Sequence, residues 1–153
     1  MVDPLQVQST VSGFLTRLGF PPSVVASCDY EKDQDIYQVS LKTDTPALLI
    51  GYHGETLAAL QLIIGLHLHV HSDQWLNLSL NVNDYRQRRE TSLHSLADST
   101  VEQVIATSQP HMLPPLPANE RRIVHLHLSN HPQVTTSSQG IGRSRSVVIS
   151  PKA

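Results

Sequence analysis

The stretch Asp44-Thr45-Pro46-Ala47-Leu48-Leu49-Ile50-Gly51-Tyr52-His53-Gly54-Glu55-Thr56-Leu57 decides how the rest of the chain is read. Asp44-Thr45 ahead of Pro46 is a helix start, a capping side chain followed by proline in the first turn. That helix is short, Ala47–Ile50, because Gly51-Tyr52-His53-Gly54 interrupts it. Glu55–Leu66 then reads as a second helix, apolar almost all round and expected to be buried between other elements. Two glycines three apart let another backbone approach the peptide closely. The free N–H groups opening the next helix would face a phosphate brought there. Alone, such a tetrapeptide is equally an ordinary corner between helices.

Upstream, Val7, Val11, Phe14, Leu15 and Leu18 recur at helical spacing, and Gly19 with Pro21-Pro22 ends that helix. Ser23–Tyr30 and Ile36–Leu41 read as strands around a polar hairpin loop, with Tyr37, Val39 and Leu41 on one face. Downstream, Leu76, Leu78, Leu80 and Val82 alternate with Asn77, Ser79, Asn81 and Asn83, a half-buried strand. The order is α-β-β-α-α-β. A long helix follows over about 84–107, with Leu93, Leu96, Ala97, Val101 and Val104 inward and Arg86, Arg88 and Arg89 in exposed first turns. Pro110, Pro114, Pro115 and Pro117 make a stiff connection. Asn119–Asn130 reads as a third amphipathic helix, followed by strands Val134–Ser138 and Ser146–Ser150.

Charge divides the chain. Residues 1–83 hold eight acids and three bases, whereas residues 84–153 hold five acids and eight bases. The arginines of the second part fall in three groups, Arg86/Arg88/Arg89, Arg121/Arg122 and Arg143/Arg145, so this half suits anions. The single Cys28 excludes an internal disulfide and fits a reducing compartment. The longest uncharged run, Thr56–Ser72, carries Gln61 and three histidines and reads as too polar and slightly too short for a bilayer span. The chain opens without a secretory leader pattern, so a soluble cytoplasmic protein without membrane insertion is expected. His67, His69 and His71 would share one face if they lay on a strand, but no carboxylate or cysteine completes a metal-ligand spacing. No cofactor is expected, and no nucleophile elbow or Walker-type loop points to an enzyme.

Arg121 and His125 stand four apart on the third helix, so guanidinium and imidazole project from one face. Such a pair can bind phosphate, but alone it reads more readily as an exposed arginine above a partly buried histidine. Leu49–Gln61, in its α-β-β-α-α-β setting, resembles the signature of the type II KH fold, although the middle positions Tyr52 and His53 replace the usual basic residue. Leu113–Leu128 resembles the domain family named for its Arg-x-x-x-His signature, which binds single-stranded nucleic acids. So does Gly140-x-Gly142-Arg143-x-Arg145-x-Val147-Val148-Ile149. With Val82–Glu90 as a third matching stretch, the succession is similar to the Jag family, the SpoIIIJ-associated proteins of bacteria. Many of those carry a further N-terminal Jag domain, which is not among these residues.

The resemblance implies an α+β chain, a KH type II domain over 1–83 followed by a small Arg-x-x-x-His-type domain over 84–153. It implies a cytoplasmic bacterial protein that binds single-stranded RNA, or single-stranded DNA, in post-transcriptional control linked to cell elongation, division or envelope processes. A small stand-alone KH protein is the implied partner. The expected contacts are Gly51, Tyr52, His53 and Gly54 in the first domain. In the second they are Arg86, Arg88, Arg89, Arg121, Arg122, His125, Arg143 and Arg145. An exposed glycine loop would tolerate Gly51→Asp or Gly54→Asp without loss of fold. The rival reading is a protein-interaction adaptor whose acidic first domain has lost affinity for RNA.

Overall fold

The computed structural model describes residues 2–152 and folds as two compact units, one ending at Arg86 and the other beginning at Gln87. In the first unit, α1 (Pro4–Arg17) starts where the Asp3 carboxylate accepts the Leu5 N–H at 3.0 Å. Strands β1 (Val25–Glu31) and β2 (Ile36–Lys42) pair antiparallel, with Tyr30 opposite Tyr37. Then come α2 (Pro46–Ile50), a single 3-10 turn at Tyr52–Gly54, α3 (Glu55–Ser72) and β3 (Leu78–Val82). β3 lies parallel to β2, which requires a crossover, and α2 and α3 supply it. The sheet order is β1-β2-β3. Its inner face, with Tyr37, Val39, Leu41, Leu80 and Val82, packs against Val7 and Val11 of α1 and Leu57, Leu60, Ile64 and Leu68 of α3.

α3 departs from its sequence reading in two ways. It continues six residues past Leu66, so His67, His69 and His71 lie on a helix. Successive odd positions there are about 200° apart, and the shared face expected of a strand does not form. Nor is α3 buried all round. Leu62 is 65% and Val70 78% exposed, and Ile63 and Leu66 are exposed with them. The reason is the two-layer architecture: a helix on a sheet buries one stripe, and its opposite stripe has nothing to pack on. By length and composition Pro46–Ser72 would reach across a bilayer, but the kink at Gly51–Gly54 breaks it and the sheet takes its inner stripe.

The second unit is built on α4 (Tyr85–Thr107), whose Leu93, Ala97, Val101 and Val104 are buried. The proline-rich segment is not a bare connection. His111–Met112 forms β4, paired with Val148 and Ile149, and Leu113 and Leu116 enter the core. α5 (Ala118–Leu128), β5 (Val134–Gln139) and β6 (Ser146–Pro151) complete the unit, with the antiparallel order β4-β6-β5. The helix-and-sheet composition of both units makes the chain an α+β protein.

Candidate nucleic-acid interface

The glycine loop is shaped by its own close packing. Gly51 has φ +69°, and a Cβ there would fall 2.0 Å from Thr56 Oγ1. Gly54 has φ +81°, and its Cβ would meet the Tyr85 ring at 3.2 Å. Only glycine occupies both conformations without strain. Any side chain at Gly51 must displace the first turn of α3, so the expectation that Gly51→Asp leaves the fold intact does not hold. Between them, Tyr52 is 73% exposed and its ring meets His53 edge-on at 4.2 Å. Ahead of α2, the Asn83 side-chain amide donates to the Thr43 carbonyl at 2.7 Å and accepts the Thr43 N–H at 3.1 Å. This lock fixes the end of β3 beside the turn that opens α2.

The arginines expected as contacts separate into different roles. Arg86 donates from Nε to the Leu80 carbonyl at 3.1 Å and from Nη2 to Gln61 Oε1 at 2.7 Å, tying the start of α4 to β3 and α3. Arg89 is not in an exposed turn. Its Nε and Nη2 reach the two carboxylate oxygens of Glu120 at 2.7 and 2.9 Å, and Glu120 is only 2% exposed. A carboxylate removed from water needs such a planar fork, so Arg89 is a partner of the core before it is a phosphate ligand. Arg88 is exposed. Arg122 is exposed too, but it stands a residue round α5 from Arg121 and so off the shared face of Arg121 and His125.

Around His125 the second unit makes a polar, cationic corner. Arg121 donates from Nη1 to the Leu116 carbonyl at 2.8 Å, and the Leu116 N–H donates to the Arg145 carbonyl at 3.2 Å. His125 Nδ1 lies 2.7 Å from the Thr136 hydroxyl and Nε2 lies 2.8 Å from the Ser138 hydroxyl. A neutral imidazole donates at one nitrogen and accepts at the other, so the two hydroxyls take opposite roles. Burial, followed by Arg121 and Arg145, holds the His125 pKa below its ordinary value. Both ring nitrogens are therefore occupied, and the ring is neutral at neutral pH. His125 orders β5 under the arginines.

Thr136 and Ser138 were missed by motif reasoning. Their alternation on a strand facing the Arg-x-x-x-His helix was the available signal. Arg143 lies within the Gly140–Ser144 turn between β5 and β6, and Arg145 follows it. There Gly140 has φ +91°, with space for a Cβ closed by the Ser144 carbonyl at 3.0 Å.

Comparison with known proteins agrees with both halves. Residues 8–80 match the KH domain of the KhpA/KhpB type, and residues 91–151 match the domain family named for the Arg-x-x-x-His signature. Several relatives carry the name RNA-binding protein KhpB. The one from Lactiplantibacillus plantarum is 38% identical over 82% of this chain and 39% of its own length. The one from Clostridium symbiosum is 35% identical over 85% of this chain and 59% of its own length. The one from Bacillus subtilis is 40% identical over 69% of this chain and 52% of its own length. The chain thus spans between 39% and 59% of the length of these relatives. With a glycine loop set on a three-stranded sheet and an arginine–histidine corner on a second one, the chain belongs to the KhpB-type (Jag) family, which joins a KH domain to an Arg-x-x-x-His domain.

Proposed function

We propose that this chain binds single-stranded RNA and acts in post-transcriptional control in the bacterial cytoplasm. The observation that carries the reading is the Arg121–His125–Arg145 corner. Two guanidinium groups flank a neutral imidazole, beside a glycine turn that adds Arg143. Arginine forks suit phosphate oxygens, and the hydroxyl-rich strand beneath supplies neutral hydrogen-bonding groups. Arg88 adds an exposed cation, and Tyr52 and His53 offer stacking surfaces at a loop whose backbone a phosphate can approach. The name of the KhpB relatives supports the choice of RNA over DNA. The test is the affinity of the full chain for a labelled RNA, single-stranded and as a duplex of equal length. Unpaired bases can stack and bond whereas an A-form duplex hides its major groove, so the single strand binds tighter. Equal affinities would reduce the interaction to charge alone.

A second feature supports the partner implied by the family resemblance. The outer stripe of α3, with Leu62, Ile63, Leu66 and Val70, is an exposed apolar seam at helical spacing. We propose that a small stand-alone KH protein packs its own helix along this seam.

A further inference from the structure

The cross-strand pair Tyr30 and Tyr37 sets two tilted rings 4.7 Å apart at the hairpin end of the first sheet. The segment between α3 and β3 brings Trp75 to the same end. Its indole is 70% exposed and stacks on the His69 ring with centroids 4.0 Å apart and planes 12° apart. These three aromatic residues, with Asp35, Gln74, Leu76 and Asn77, line an open cavity of about 320 Å³, Tyr37 from its buried side. Asp35 sits in the hairpin turn at φ +51°, and its Oδ1 accepts the Tyr30 hydroxyl at 2.6 Å. The place is far from the glycine loop, because the 18 residues of α3 separate the two. At about 1.5 Å per residue that is about 27 Å.

Three observations describe what would enter. The walls are aromatic, and the face of an aromatic ring attracts a cation held within ~6 Å of its centroid. One carboxylate, that of Asp35, belongs to the same lining. The two segments that build the rim, 30–37 and 73–77, carry Glu31, Asp33, Asp35 and Asp73 against Lys32 alone, so a phosphodiester chain is repelled and a cation is drawn in. The Trp75 and Tyr30 rings and a carboxylate, in a lining that also offers the Gln74 and Asn77 amides, fit an alkyl stem ending in a positive head.

We propose that this cavity is a binding site for a lysine or arginine side chain of a basic polypeptide segment, held between Trp75 and Tyr30 with its charge against Asp35. The site is separate from the RNA-binding reading and stands or falls independently of it.

Trp75 is the only tryptophan of the chain and so reports on the cavity directly. The experiment follows Trp75 emission in the full chain while N-acetyl-lysine methyl ester is added, at constant ionic strength. N-acetyl-norleucine methyl ester, with the same stem and no charge, is the control. The lysine ester gives a saturable change and the norleucine ester gives none. A lysine- and arginine-rich peptide saturates at lower concentration than the single ester. Asp35→Asn, which tolerates the same positive φ, weakens the lysine ester by about two- to fivefold, the scale of one exposed ion pair, and leaves the melting temperature unchanged. Equal responses to the two esters, or none, would overturn cation recognition. Spermidine binding as tightly as the peptide would overturn the assignment to a polypeptide. So would an emission change produced by oligouridine and not by the peptide.

Discussion

At the scale of single residues, the Arg89–Glu120 fork shows why a motif reading of arginines is incomplete. Both residues sit in stretches that read as nucleic-acid contacts, yet the 2.7 Å and 2.9 Å bonds join them inside the second unit. Removing the arginine takes the cationic fork away from a buried carboxylate. Arg89→Ala should lower stability by about 3 kcal/mol in urea unfolding, and Arg89→Met combined with Glu120→Leu should restore most of it. If the single variant loses less than about 1 kcal/mol, the pair is peripheral to the fold. His125 makes a pH-dependent claim. Its folded pKa is held below the ordinary imidazole value of 6.5, so below that pH the unfolded chain binds more protons than the folded one. Stability should fall as pH drops through 6.5 and level off below the folded pKa. The melting temperature of His125→Asn should drop less over that window than the wild type, and an identical drop would mean that His125 does not titrate differently on folding. For RNA binding, the same lowering moves any charge gained by His125 to more acidic solution than an unperturbed imidazole would need.

At the scale of elements, α3 carries the clearest lesson about what sequence shows. Its existence and its start after Gly54 follow from the glycine loop and the apolar run behind it. Its outer stripe does not, because an all-round apolar helix reads as buried whatever stands beside it. Burial depends on how many layers the fold has, and only the structure supplies that number. β4 was hidden for a related reason. Two residues in a proline-rich stretch have no periodicity to read, and their pairing with Val148 and Ile149 is decided by β6, far along the chain. If the α3 seam takes a partner helix, Leu62→Glu and Leu66→Glu should abolish a complex with a co-expressed stand-alone KH protein. Both positions are exposed, so the melting temperature of the chain alone should change little. A complex that survives both changes, measured by light scattering, would place the partner elsewhere.

At the scale of the whole molecule, the division of charge organises the account. The unit ending at Arg86 is acidic overall, and the unit from Gln87 holds seven bases against four acids. The order of elements and the residues that build the candidate corner were legible because glycines at positive φ and helix-spaced arginine and histidine leave local marks. Which arginines stay available for phosphate was not legible, since Arg86 and Arg89 are engaged by residues distant in sequence: Gln61, Leu80 and Glu120. The most direct test is the salt dependence of single-stranded RNA affinity for the full chain, compared with Arg121→Ala and Arg145→Ala. Each phosphate released from a single strand changes the slope of log affinity against log salt by about 0.7. Each variant should bind more weakly and flatten the slope by about that amount. Wild-type slopes and affinities in both variants would contradict the assignment of this corner as the RNA-binding site.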